Sequence, residues 1–600
     1  MNCKIARHTP HKSTAPVEDR ATGLVTRCTR NFLATALLGS VLMTSTFGAT
    51  TAHADDNVIS TIVTLQNGGH PLDGADSLTI TPDGGINATG IHAIWSTGNG
   101  NTITNQGTLS TTGFVAVGIY FNTSNNNSLT ESGTISTTGT NSHGVVFVDS
   151  HSSYDINFSG AASTTGAGAI GLLFVKSDNN TLNFTGLLTS AQANAILFDN
   201  TSFINRLNLT TGAFLGGAID LGTGGNNVNI DTTPGHSAVW DFGATSNIIN
   251  GIQVSGTGAY IVDGNVFYSV DTTGFFDRTD ALGDTAGMLS SIAASRLSLT
   301  GPGSLNKDLG FIADDTRIWG DLIGLTSEYG ATNITLGYDH QYYGLALGVE
   351  QDYGAATTFG LMSGYLAGKM KAESQFTVSQ EIESRGGFAG IYGSGNFADQ
   401  MKLTGSLIGG WTNNDSERSF NNNAGAPSFV ETANASYGSV FIAPSIGLSK
   451  GFVLDEQTTL TRSFSALYAH QWSDGYTETG STTNLTVGSG EASVLEAKAE
   501  VGITRHLEMT DQHYGGHVTA RIGALARLTP NNDVPTLSFA GIGTLTNADT
   551  DRSALVAVIG GIDFYLQITE NLSFNASGDI ALGSDDYFNA QGKLGFKVVF

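Results

Sequence analysis

Two periodicities divide the chain. Between residues 78 and 275 short apolar runs, broken by Gly and Asn, recur at a fixed interval, whereas from Arg317 onward apolar and polar positions alternate one for one. The block Asn105–Gly113 (Asn-Gln-Gly-Thr-Leu-Ser-Thr-Thr-Gly) is echoed by Glu131–Gly139 and Phe158–Gly166. The first glycine of each unit stands at 107, 133, 160, 186 and 212, so the interval is 26 or 27 residues. A second apolar block follows in four units: Ile119-Tyr120-Phe121, Val145-Val146-Phe147, Leu172-Leu173-Phe174 and Ile196-Leu197-Phe198. A period of this length built from β-branched and aromatic runs predicts a solenoid. One unit cannot bury its own apolar face, but units stacked ~4.8 Å apart can. The expected element is a parallel β-helix, one coil per repeat, with Phe121, Phe147, Phe174 and Phe198 as an inward ladder. Asn-rich corners such as Asn125–Asn127 and Asp178–Asn180 supply the left-handed backbone of sharp turns. An antiparallel sandwich gives no reason for so constant a period.

In the C-terminal half Phe588, Ala590, Gly592, Leu594, Phe596, Val598 and Phe600 fall on one face, and Asn589, Gln591, Lys593, Gly595 and Lys597 on the other. Leu495, Ala497, Ala499, Val501 and Ile503 oppose Glu496, Lys498 and Glu500; Val518, Ala520, Ile522, Ala524 and Leu528 oppose Thr519, Arg521 and Arg527. The segment 553–568 sets Val556, Val558 and Ile562 against Asp563. Alternation alone also fits a soluble antiparallel sheet. Two features move the reading to a membrane. Segments of about 10 residues have the length a tilted spanning strand needs. The polar faces carry full charges of both signs, as a wet lumen allows, so Glu496, Lys498, Glu500, Arg521, Arg527 and Asp563 are expected to face the lumen. Every backbone group must pair in lipid, which demands closure. Twelve strands are expected between 317 and 600, with 530–552 left as a loop despite the strand-like run Thr536–Thr544. Tyr342, Tyr343, Trp411, Trp472, Tyr565, Tyr587 and Phe588 are candidates for interfacial girdles.

Between the two periodic regions, Thr279–Leu297 changes to helical spacing, with Leu282, Met288 or Leu289, and Ile292 near one face and Thr279 or Asp280 as the cap. Its small residues suit a helix threaded through a narrow lumen. Gly283-Asp284-Thr285-Ala286-Gly287 superficially matches a serine-nucleophile motif, but it has Thr in place of Ser and lies in a helix rather than on a strained turn.

At the other end, Arg27 and Arg30 precede the apolar run 32–43, too short for a spanning helix, and Ala52-His53-Ala54 before Asp55 is a small-x-small cleavage pattern. Residues 1–54 are therefore read as a secretory signal, cleaved between Ala54 and Asp55 with Ala52 and Ala54 as the small residues. Both cysteines, Cys3 and Cys28, lie within it, so a mature chain has neither a disulfide nor a thiolate metal site. Composition sharpens this picture. The 78 glycines and 10 prolines fit many short strands. A formal charge of −26 argues against a nucleic-acid partner. From Asp55 to Asp271 two basic residues, Lys176 and Arg206, face 15 acids. No Ca²⁺-binding nonapeptide or EF-hand loop accompanies that acidity, so no metal or cofactor is expected.

The order of parts resembles the classical monomeric autotransporters (type Va secretion). Local resemblances are Val270-Asp271-Thr272-Thr273-Gly274-Phe275 before the helix, Tyr343–Gly348, Phe359–Tyr365 and the terminal Phe600. The resemblance implies a signal peptide at 1–54, a β-helix passenger at 55–277, a linker helix and connector at 278–315, and an autotransporter barrel at 316–600. The fold class is then all-β: a parallel β-helix, a linker helix and a 12-stranded antiparallel transmembrane β-barrel. It further implies export by the general secretion pathway, insertion in the outer-membrane lipid bilayer by the barrel-assembly machinery reading Phe596, Val598 and Phe600, and a passenger at the cell surface. Residues around 250–275 correspond to the family's autochaperone region. A faint passenger-release site is Asn306-Lys307.

Three functions compete. A binding or adhesive passenger for an unknown surface ligand suits long repetitive faces. A secreted protease or esterase needs a nucleophile and base, but His70, His92, His143, His151 and His236 are scattered; Gly74-Ala75-Asp76-Ser77-Leu78 is only a near miss to an esterase block. A simple porin leaves the solenoid unexplained. The expectation is a non-enzymatic displayed passenger.

Overall fold

The structure is a computed structural model that describes residues 54–298 and 316–599, except 67, 152–153, 354–356, 374, 377, 399–400, 508–514, 533–534 and 547–553. Ala52, Phe600 and Asn306-Lys307 lie outside the described residues.

The N-terminal region winds into three parallel sheets, of nine, seven and seven strands. A typical coil contributes Ser128–Glu131 to the first sheet, Thr134–Thr137 to the second and Val145–Val148 to the third. Coils stack in repeat register: Glu131 lies beside Asn105, Ile135 beside Leu109, and Phe147 between Phe121 and Phe174. Rings of Phe121, Phe147 and Phe174 stack with centroids 4.9 and 4.6 Å apart, and Phe198 closes the row edge-on at 4.5 Å. Each such pair contributes about 0.5–1.5 kcal/mol beyond the area it buries.

The recurring glycine has a steric cause. A Cβ at Gly107, Gly133, Gly160 or Gly186 would lie 2.2, 2.2, 2.4 or 2.1 Å from the carbonyl oxygen of the corresponding glycine one coil earlier. Only glycine permits that approach. Gly212 leaves the column; its nearest neighbour is the side chain of Gln375, from the barrel. Asn126 and Asn179 adopt φ of 56° and 59° at the corners. The next residue in each corner turns inward. The Asn127 amide oxygen accepts the Asn101 N–H at 2.6 Å, and Asn205 and Asn226 accept from Asn180 and Asn205 at 3.0 and 2.9 Å. This buried asparagine ladder satisfies corner donors that water cannot reach.

The C-terminal region is a closed barrel of twelve antiparallel strands. They are β1 Thr316–Tyr329, β2 Tyr338–Tyr353, β3 Thr357–Ala372, β4 Gln380–Ala398, β5 Met401–Asn422, β6 Val430–Asp455, β7 Thr458–Ser473, β8 Gly490–Leu507, β9 Gly516–Asn532, β10 Ala554–Gln567, β11 Leu572–Gly583 and β12 Phe588–Val599. β1 pairs with β12, so no edge is left. Leu594, Phe596, Val556, Val558 and Ile562 are exposed on the outer wall, whereas Glu496, Arg527 and Lys597 are buried inside. The run Thr536–Thr544 yields Leu537–Phe539 and Gly543–Thr544, which join Tyr476–Thr477 and Leu485–Val487 in a small separate sheet and not the barrel wall. Among the girdle candidates Tyr343 and the two tryptophans are exposed on the outside, but Tyr587 is buried. Tyr587 shares strand parity with Asn589, and its ring lies beside Tyr329.

The helix α1 spans Thr273–Ser298. It begins earlier than Thr279 because the Asp271 carboxylate accepts the Thr273 N–H at 2.9 Å and its hydroxyl at 2.5 Å, an N-terminal cap. Among the described residues no helix is long and apolar enough to cross a membrane.

Candidate functional site: the helix-filled barrel and the passenger dock

α1 runs inside the barrel with two kinds of side chain facing the wall. Its second half is apolar: Met288, Leu289, Ile292 and Leu297 pack with Trp319, Ile323, Met362 and Phe388. Its first half is held by charge. The Asp284 carboxylate receives Arg527 at 2.8 Å, Tyr587 at 3.0 Å, Tyr329 at 2.9 Å and Ser327 at 2.5 Å. Arg527 donates to Glu496 at 3.0 Å, and Glu496 pairs with Lys498 at 2.9 Å. Asp284, Arg527 and Glu496 are almost completely buried. Charges this far from water persist only when paired and hydrogen-bonded on every side. Two helix glycines make the approach possible: a Cβ on Gly283 would sit 2.7 Å from the Arg527 guanidinium, and one on Gly287 3.4 Å from Glu496.

The last turn is clamped as well. Arg296 pairs with Asp321, both essentially without exposure, and its guanidinium lies 4.5 Å over the Trp319 ring. Lys402 donates to the Leu297 carbonyl near the helix end. The Trp319 indole donates to the Tyr392 hydroxyl at 2.7 Å, and that hydroxyl donates to Glu350 at 3.1 Å.

The six charged residues singled out in the sequence thus form two groups. Glu496, Lys498 and Arg527 belong to the helix clamp. Arg521 instead gathers Glu500, Asp563 and Asp579 on the wall at 3.1, 2.7 and 2.6 Å. Phe596 is outward and exposed, and Val598 is on the same face and half-buried. Ala54 and Asp55 precede the first described strand, Asp56–Ile59. In the sequence Asp284 stands out only as part of a pentapeptide that superficially matches a serine-nucleophile motif; Arg527 is what gives it a role.

A second contact joins the two halves. β5 and β6 extend beyond the barrel, and Asn421 and Asn422 pair in parallel register with Ala238 and Val239 of the solenoid. The Asn421 side chain accepts the Leu215 N–H at 3.0 Å, donates to the Leu215 carbonyl at 2.9 Å and accepts the Trp240 indole at 2.8 Å. Asn423 bonds the Asp241 N–H at 2.8 Å and its carbonyl at 2.9 Å. Phe539 of the small sheet lies 5.6 Å from Tyr268. The end of the solenoid is thus seated on strands and loops of the barrel.

Residues 318–579 match the autotransporter beta-domain family. The C-terminal half of the chain is an autotransporter β-domain. The solenoid that precedes it is its passenger, and the protein resides in the outer membrane with the passenger exposed. The barrel is similar to the translocator domain of the autotransporter NalP from Neisseria meningitidis (18% identity, TM-score 0.40, covering 55% of this chain and 99% of that one). It is also similar to the β domain of the Bordetella autotransporter BrkA (15%, 0.35, 48% and 100%) and to the transport unit of AIDA-I from Escherichia coli (16%, 0.32, 53% and 98%). No curated protein matches the chain in sequence.

Proposed function

We propose that this autotransporter displays a binding, adhesin-like passenger that stays on its barrel and acts without catalysis. The observation that carries this reading is the dock: the last coils are hydrogen-bonded to Asn421 and Asn423 of the barrel's own hairpin, in addition to the covalent link through α1. A passenger built onto its anchor is suited to presentation. The histidines support the same reading. His92 and His143 each use Nδ1 to accept a backbone N–H, from Val117 at 3.1 Å and Ile170 at 2.9 Å, and burial lowers the pKa of both. They serve the coil corners.

On this reading residues 1–54 are removed after export, with Ala52 and Ala54 before Asp55 as the processing site. The barrel is inserted by the assembly machinery through Phe596, Val598 and Phe600, and Glu500, Arg521 and Asp563 line the wall. The test is an epitope tag at Asn125 on intact cells, followed by external protease and by attachment assays on a panel of immobilised matrix proteins and glycans. Loss of the tag with a protected barrel, together with passenger-dependent attachment, is expected. A tag cut only after outer-membrane permeabilisation, or hydrolysis of casein or nitrophenyl esters by displaying cells, overturns it.

A further inference from the structure

The three faces of the solenoid are not alike. Outward positions on the first sheet are polar: Thr102, Thr104, Ser128, Thr130, Asn157 and Asn183. Those on the second are mostly Thr and Ser, as in Thr108, Ser110, Thr134 and Ser136. On the third sheet the outward column reads Trp95, Tyr120, Val146, Leu173, Leu197, one residue per coil in unbroken register. A second outward column beside it contains Val148 and Val175. The inner core is already complete without this stripe, because Phe121, Phe147, Phe174 and Phe198 fill the opposite side of the same strands. Trp95 is 40% exposed, Tyr120, Leu173 and Leu197 are half-buried and Val146 is buried, and His92 stacks on Tyr120 at 4.7 Å, fixing the aromatic end of the stripe. Outward apolar residues on the other sheets, Val58, Ile62, Ala161 and Leu187, are separated by Thr108 and Thr134 or stand singly, whereas the third-sheet row is continuous over five coils, and a continuous apolar row on an outer face is a contact surface.

Charge selects the occupant. The Leu197 column continues directly into Asp220. Asp149 and Asp199 follow the strand ends Val148 and Phe198; Asp149 pairs with Lys176 at 3.6 Å, so the border holds that ion pair and the carboxylates of Asp199 and Asp220. The surrounding domain carries 15 acids against two bases. A second copy of this passenger, or an anionic membrane surface, would meet that field with repulsion. A polypeptide segment with an apolar face flanked by Lys or Arg meets it with attraction. From Trp95 to Leu197 the stripe crosses four coil steps, on the order of 19 Å at the usual strand spacing, which an amphipathic helix of about 13 residues spans.

We propose that the third-sheet stripe of the passenger is a docking surface for a basic amphipathic polypeptide segment. This deepens the adhesin reading and rests on it. The full chain in lipid nanodiscs is titrated with a fluorescent Leu/Lys amphipathic peptide and with its Leu/Glu counterpart, which has the same apolar face. Expected are saturable binding of the Leu/Lys peptide only, at least a tenfold loss of affinity in L173N/L197N, and a lesser loss with stronger salt sensitivity removed in D149N/D220N. Both variants change surface positions, and passenger trypsin resistance reports their folding. Equal binding of the two peptides, unchanged affinity in a folded L173N/L197N, or dimerisation of the wild type that this variant abolishes would each overturn the proposal. The attachment panel separates the readings: cells carrying L173N/L197N that still attach normally leave the adhesin in place and remove the stripe from it.

Discussion

The solenoid and the barrel are built from the same alternating strands turned opposite ways. In the solenoid most apolar side chains point in, while Thr108 and Thr134 point out; in the barrel Leu594 and Phe596 point out while Lys593 and Lys597 point in. The solenoid's interior polar groups are mostly neutral amides and hydroxyls arranged in columns, with the carboxylates of Asp76 and Glu131 as exceptions. The barrel's interior adds to its buried hydroxyls and amides a set of ions in networks around a helix. The same period-two pattern therefore carries no direction by itself. Strand length and the presence of full charges on the polar face supply it: four-residue strands cannot span a bilayer, and strands of 12 to 26 residues can.

The contrast breaks most sharply at its two centres. Phe147→Ala removes the middle of the aromatic column and is expected to destabilise the passenger by about 3–5 kcal/mol, read from urea unfolding of the displayed domain. Arg527→Met leaves Asp284 buried without its counter-charge; a cost of about 3–5 kcal/mol falls on the barrel. Glu496 keeps Lys498 at 2.9 Å, so the charge stranded in that variant is Asp284. The variant should lower the temperature at which the folded band is lost in gel-shift assays and raise conductance in planar bilayers, with passenger urea stability unchanged. If both substitutions weaken both regions equally, the two interiors are not independent.

A smaller effect comes from Glu131. It is fully buried, receives the Asn105 amide at 2.9 Å and the Gly133 N–H at 3.0 Å, and burial pushes its carboxyl up to about 8. The folded state thus holds the proton more tightly than the unfolded chain. Its stabilising contribution is complete below the ordinary carboxyl range and is lost as pH rises towards 8, at most about 4 kcal/mol between pH 5 and 8. Glu131→Gln should flatten that slope in urea midpoints taken across the range. A wild-type slope that survives in the variant assigns the titration elsewhere. Smaller still, Asn421→Ala removes three hydrogen bonds at the dock. A loss of about 1–3 kcal/mol should speed proteolysis near residue 240 while the N-terminal coils stay resistant. Thr134→Val, on the solenoid exterior, should shift unfolding by less than about 0.5 kcal/mol.

What was legible in the sequence follows from range. The phenylalanine column, the twelve strands and the apolar side of α1 are short-range periodicities, and each is present in the structure. Parity with Asn589 and Gln591 places Tyr587 inside, and this position outweighs its aromatic character. The start of α1 at Thr273 depends on Asp271, whose capping role needs only two residues of context. The dock and the Asp284–Arg527 pair had no such signal. Asn421 meets Trp240 across 181 positions and Arg527 meets Asp284 across 243, and one chain read alone does not connect them.

The asparagine ladder bears on fidelity. Because nearly every coil presents the same inward amide, a strand that slipped by one whole repeat would still find an amide to accept its corner N–H, and the error would go unpunished by hydrogen bonding. Tyr154 interrupts the series: its hydroxyl takes the Asn127 amide at 2.8 Å and donates to the Ser124 carbonyl at 2.9 Å, while its ring meets Phe121 and Phe147 edge-on. Glu131 has only one coil on which an Asn105 waits. These two singular residues work as keys in an otherwise degenerate lock, so that a misthreaded stack pays with a clash or an orphaned carboxyl at the second and third coils of the repeat, where correct and shifted windings first become distinguishable.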